Sequence, residues 1–161
     1  MPAQMLFGIS VLWLHCLGDC RSPILLAATS RPGARRCLAS SPLLHSFRFV
    51  GLAFLVKGVV APELPAAFAV PAAYGDLIAA VLALLALAAL HSAVGIPLVW
   101  VFNLWGSADL LYAFYQGNAS GLVPGMLQAT YFIPTFIVPL LLITHALVFL
   151  ILLRRDTVAA A

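Results

Sequence analysis

Charge is what this chain most lacks. Its 161 residues include eight Lys or Arg and five Asp or Glu, 8% of the total, while 64% are hydrophobic. Soluble domains carry roughly 25% charged residues. So few charges cannot solvate the surface of a soluble domain of this size, and an integral membrane protein is expected. The net charge of +3 is concentrated in residues 1–42, where Arg21, Arg31, Arg35 and Arg36 stand against Asp19 alone. Nothing else in the chain could present a basic face, so nucleic acid is not an expected partner. Anionic lipid headgroups suit that excess better.

Cysteine is scarce too. Cys16, Cys20 and Cys37 all fall in the same segment. An odd count without paired CxxC motifs excludes a disulfide framework and points away from zinc. The four histidines include no i, i+4 pair, so no metal and no cofactor is expected. Ser-His-Asp and Cys-His arrangements, HExxH and a Gly-rich phosphate loop are all missing, and nothing marks the chain as an enzyme.

The N-terminal "MLFGISVLWLHCLG" has no basic n-region and no A-x-A site, which makes it a poor signal peptide. "LGDC" does not fit a lipoprotein cleavage box. The Arg-, Ser- and Pro-rich stretch after it reads as loop. Residues 1–42 are therefore expected to be an interfacial helix with a disordered arm, or a misassigned start.

What the chain has in quantity is apolar length. Crossing roughly 30 Å of hydrocarbon takes about 20 helical residues. Residues 74–94, 96–116 and 133–153 meet that length, and residues 43–60 form a fourth, weaker span. The runs lack two-residue alternation, which excludes a membrane β-barrel. Lipid offers no hydrogen bonds to a backbone, so each run must be a helix. The expected fold is all-α: an antiparallel bundle of four transmembrane helices over residues 43–153, with a short tail at 154–161. Arg31, Arg35 and Arg36 precede the first span, and Arg154 and Arg155 follow the last. Four crossings put both clusters on one side, so both termini are expected in the cytoplasm. The tight, uncharged hinge around residues 91–97 makes the second and third helices antiparallel neighbours.

Polar side chains within such spans need an explanation that depends on depth. Counting inward from the expected span ends sorts them into two layers. Lys57, Asp76 and Asp109 fall in an outer layer, with Arg48, Asn103 and His145 in an inner one. Lys57 can snorkel, and Asp76 reads as a first-turn carboxylate or as the partner of Lys57. Asp109 lies about 10 Å deep and is too short to snorkel. It needs a partner such as Thr135, Tyr112 or Lys57, or it serves as a protonatable group in a pathway. Trp105, Tyr112 and Gln116 share its helical face. Arg48, with no acid in its layer, must snorkel, bind a lipid phosphate, or donate to backbone carbonyls and Asn103. His145 reads as a helix-to-helix hydrogen-bonding residue. Gly51 and Gly58 are small enough to admit a neighbouring helix. Pro139 should free the Thr135 carbonyl and kink the last helix.

Four motifs carry a family likeness: "FRFVGLAFL", "LPAAFAVPAAYGDLIA", "FNLWGSADLL" and "IPTFIVPLLLITH". Over about residues 47–153 the chain resembles a group of uncharacterised small bacterial integral membrane proteins. The resemblance implies an architecture and a bacterial inner-membrane location. It picks out Arg48, Gly75, Asp76, Asn103, Asp109, Pro139 and His145, and it implies no reaction.

Three functional readings remain. The first is a structural or interaction-type membrane protein, in contact with lipid and open to self-association or a membrane partner. The second is a small proton-linked carrier using Asp109 and His145. The third is an intramembrane enzyme with either residue as its acid–base group.

Overall fold

The computed structural model describes residues 40–159, with side chains to residue 153. Most of the 1–42 segment, with its cysteines and arginines, and the side chains of the 154–161 tail lie outside the described residues. Among the described residues every regular element is helical, apart from one isolated bridge between Lys57 and Val60.

Three helices are long and apolar enough to cross a membrane. They are α2 (Ala66–Ala88), α3 (Gly95–Ala119) and α4, a π-helical turn over Ile133–Ile137 that continues as Val138–Ala159. A fourth element, α1, precedes them. Residues 40–45 of α1 are α-helical and run into a 3-10 helix over Ser46–Leu55. The three long helices correspond to the three clear expected spans, and a shorter helix stands where the weaker fourth was expected. α1 stops at Leu55, and Lys57 lies beyond it in an exposed turn instead of inside a span. Gly58 takes φ of 85° in that turn and has open space around it, so it admits no helix.

The second helix is displaced from its expected position. It starts at Ala66, eight residues before Tyr74, and runs through Pro71. A proline removes one ladder bond and reads in sequence as a loop signal. An apolar run in lipid has no water to satisfy an irregular backbone, so it stays helical across the proline. α4 opens on an irregular turn that contains Pro134. The N–H of Val138 reaches back to the carbonyl of Ile133, a π-type bond, in the turn that ends just before Pro139. The hydroxyl of Thr135 donates to Tyr131 O at 2.7 Å and does not meet Asp109.

The packing is inside out by the standards of a soluble protein. On α2, the buried face is Phe68 in the first turn and then only small or polar residues: Ala69, Ala72, Ala73, Gly75, Asp76, Ala79, Ala80, Ala83 and Ala86. The exposed face carries Val70, Tyr74, Ile78, Val81 and Leu85. Small residues let α1 and α3 approach closely, while the bulky apolar side chains point away from protein. Two apolar clusters form the interior. One joins Phe54, Phe68, Leu110, Leu127, Ile133 and Leu141. The other joins Ala83, Val99, Phe102, Val148 and Leu152. The polar residues lie between them.

The segment after α3 folds back as a 3-10 helix, Pro124–Thr130. Leu127 and Thr130 are buried, and the N–H of Ala61 donates to Met126 O at 3.0 Å. Gln128 adopts φ of 42° and ψ of −119° there, a sparsely populated conformation that costs a side-chain-bearing residue about 1–3 kcal/mol. Glycine avoids that cost but gains entropy when unfolded. Gln128→Gly should therefore leave the melting temperature in detergent unchanged or slightly raised. Gln128→Val should lower it.

Candidate functional site

Arg48, expected in the inner polar layer, lies level with Asp76 and Asp109 of the outer one. Arg48 is seven residues from the end of α1, Asp76 ten from the start of α2, and Asp109 ten from the end of α3. With about 2.0 Å of rise per 3-10 residue and 1.5 Å per α residue, these depths are roughly 14, 15 and 15 Å from the same end of the bundle. Arg48 is 2% exposed and does not snorkel. Its Nε donates to Asp76 Oδ1 at 2.7 Å, and its Nη2 donates to Asp109 Oδ2 at 2.6 Å. Asp76 is thus paired with Arg48 and not with Lys57. Asp109 is paired with Arg48 and not with Thr135, Tyr112 or Lys57. One guanidinium fork holds carboxylates from two different helices, in the charge-assisted geometry that favours Arg over Lys.

The third arm of the fork extends the network to α4. Arg48 Nη1 donates to Gly106 O at 3.3 Å and meets His145 Nε2 at 3.4 Å. The other ring nitrogen of His145, Nδ1, meets Asn103 Oδ1 at 2.8 Å, while Asn103 Nδ2 donates to the His145 carbonyl at 3.2 Å. Asn103 therefore clamps both the ring and the backbone of His145. The network is satisfied if Nδ1 carries the proton and Nε2 accepts from Arg48. Both nitrogens are then in use, and His145 has none to lend to a substrate.

His45 completes the inner side, and no sequence pattern singles it out. It is 0% exposed, 4.1 Å from the His145 ring and 5.0 Å from the Phe102 ring. Thr144 donates its hydroxyl to Leu141 O at 2.8 Å, so it accepts from His45 Nε2, also at 2.8 Å. That leaves His45 Nδ1 buried and unpartnered, as is Ser41 Oγ one helical turn earlier. His45 precedes Arg48 by three residues, a spacing that puts both on one helical face.

Three glycines make room for the charges. A Cβ on Gly51 would strike the Asp76 carboxylate, and one on Gly75 would strike that of Asp109. At Gly106 it would lie 2.5 Å from the His145 ring and 2.9 Å from Arg48 Nη1. Asn103, Gly106 and Asp109 recur every third residue, which is the legible signal for the inner face of α3. The stripe of Trp105 and Tyr112 expected beside Asp109 points outward and is exposed. Trp105 nevertheless ties α3 to α2 through Nε1 to Gly75 O at 3.3 Å.

A cavity of about 400 Å³ adjoins the cluster on the side of Leu122 and Ile133. Asp76 and Asp109 are on its wall with Phe54, Phe68, Phe114 and Tyr115, while Arg48 lies behind them and off the wall. Asp109 also borders a second hollow, between α2 and α3, with Trp105 and Tyr112. Among the described residues no group of three His, Cys, Asp or Glu side chains could hold a metal ion.

No curated protein and no solved structure matches the chain. A family model does match, from residue 1 to 153, and so takes in the N-terminal stretch that the four motifs leave out. The chain belongs to the family that this model describes, a domain of unknown function, DUF8737.

Proposed function

We propose that this chain is an integral protein of a bacterial inner membrane, crossing it four times with both termini cytoplasmic, and that the Arg48 cluster fastens its helices together. The inside-out sorting of α2 carries the membrane reading. Beyond Phe68 in its first turn, alanine, glycine and aspartate face protein, while Val70, Ile78, Val81 and Leu85 face away from it. Water would penalise that arrangement, whereas hydrocarbon favours it. The short first helix is compatible with a fourth crossing. Six α residues and ten 3-10 residues together rise roughly 29 Å, close to the thickness of the hydrocarbon layer. The cluster then lies near the midplane, where charges are tolerated when they face the bundle interior and pair with one another. Alkaline carbonate extraction should leave the chain in the membrane pellet. Reporter fusions at each terminus should both report the cytoplasmic side. Extraction into the soluble fraction, or reporters on opposite sides, would rule the arrangement out.

The cavity favours a second reading, a small carrier using Asp109. Ligand sites are apolar hollows of roughly 300–1,000 Å³ with a few convergent polar groups. Here the polar groups are two carboxylates from different helices and Asn118. Asp109→Asn separates the readings. Lost proton-linked flux in proteoliposomes, with normal expression and folding, supports a carrier; lost folding supports a fastening role alone. The enzyme reading draws least support, because the ring of His145 is held at both nitrogens.

A further inference from the structure

The charge on the cavity wall does not balance. Arg48 spends Nε on Asp76 Oδ1 and Nη2 on Asp109 Oδ2. Asp76 Oδ2 and Asp109 Oδ1 accept no hydrogen bond among the described residues. With both carboxylates ionised, one guanidinium leaves a deficit of one positive charge, and no Lys, Arg or His lines the cavity to supply it. Apart from Asn118 and the Tyr115 hydroxyl, the rest of the wall is apolar. Phe54, Phe68, Phe114 and Tyr115 offer ring surfaces, and Leu110 and Ile133 are aliphatic.

We infer that this cavity takes a hydrophobic organic cation, an ammonium or phosphonium whose charge sits against Asp76 and Asp109 and whose apolar body fills the aromatic end. The inference rests on the second reading above, that the cavity is a ligand site. A cation of this kind loses little hydration on entering. It gains the attraction of a carboxylate pair in a water-poor site, together with the negative faces of aromatic rings. A lipid acyl chain would fill the volume but leave the excess charge unanswered. An organic anion would meet the carboxylates head on. A small hydrated metal ion would find two carboxylates and rings where it needs a full shell of oxygens.

The test uses the full-length protein in detergent, with radiolabelled tetraphenylphosphonium followed by equilibrium dialysis. Saturable binding is expected, displaced by benzyltrimethylammonium. Its uncharged isostere neopentylbenzene should displace it at least about tenfold more weakly, and tetraphenylborate not at all. Ala113→Phe puts a ring into the cavity and leaves the ion pairs intact, so it should abolish binding at an unchanged melting temperature. Asp109→Asn should weaken binding by about tenfold or more, and Ala113→Phe decides the matter where Asp109→Asn does not fold. If neopentylbenzene displaces as well as benzyltrimethylammonium does, the ligand class is wrong while the cavity stands as a ligand site. If the folded wild-type protein binds none of the probes saturably, or Ala113→Phe binds as wild type does, the inference falls, and the carrier reading is then decided by the flux assay alone.

Discussion

Replacing Arg48 with methionine should cost this protein about 3–5 kcal/mol of folding stability, the usual penalty for removing one partner of a buried ion pair. Methionine keeps the unbranched stem and much of the volume, so the loss is chiefly electrostatic. Asp76 and Asp109 would then face each other across the bundle with no cation between them, and Gly106 O and His145 Nε2 would lose their donor as well. The triple variant Arg48→Met/Asp76→Asn/Asp109→Asn removes all three charges at once and should recover most of the stability, since a neutral replacement of a whole buried network is often tolerated. Unfolding monitored by SDS titration or heat in detergent reads both. If Arg48→Met unfolds at the wild-type midpoint, the cluster does not hold the helices together. If the triple variant is as unstable as the single one, shape and not charge is at stake.

The second large effect is expected at glycine. Gly→Ala in a helix interior ordinarily stabilises by about 0.5–1 kcal/mol, because alanine has less backbone freedom to lose. At Gly106 and Gly75 the sign should reverse. The new methyl group would enter the His145 ring and the Arg48 guanidinium at Gly106, and the Asp109 carboxylate at Gly75. Overpacking alone costs about 1–3 kcal/mol. Here the group displaced is also an ion-pair partner, so a loss at the upper end of that range is expected. Gly125→Ala is the control, because its Cβ would meet nothing within 4 Å. The same unfolding assay should show Gly106→Ala and Gly75→Ala clearly destabilised and Gly125→Ala unaffected. Equal behaviour of the three would mean that the helices do not approach as closely as the glycines allow.

Much of the fold is legible from apolar run length, and so is the identity of the polar residues. Arg48, Asp76, Asn103, Asp109 and His145 all stand out as misfits in hydrocarbon by residue type and by their place within apolar runs. Their grouping does not. Depth counting needs accurate helix ends, and two of those ends are hidden. Pro71 hides the true start of α2, which moves Asp76 from near the start of its helix to the eleventh residue. The early stop at Leu55 and the greater rise of a 3-10 helix bring Arg48 level with both carboxylates. His45 escapes because a search for histidine pairs within one helix cannot see a ring that stacks on a neighbour from another. The foldback of Pro124–Thr130 leaves only a proline and a glycine as sequence marks, and those fit an open loop equally well.

The ten-residue 3-10 stretch has a mechanical consequence. Such runs are usually only three or four residues long, because their hydrogen bonds are poorer than those of an α-helix. Rewinding Ser46–Leu55 to α geometry would shorten it by roughly 5 Å and turn its two ends by more than half a revolution relative to each other. Arg48 could not follow while gripping two other helices. The bonds from its guanidinium to Asp76 and Asp109 therefore act as a ratchet pawl, keeping the first helix drawn out at the pitch that lets a short segment reach across.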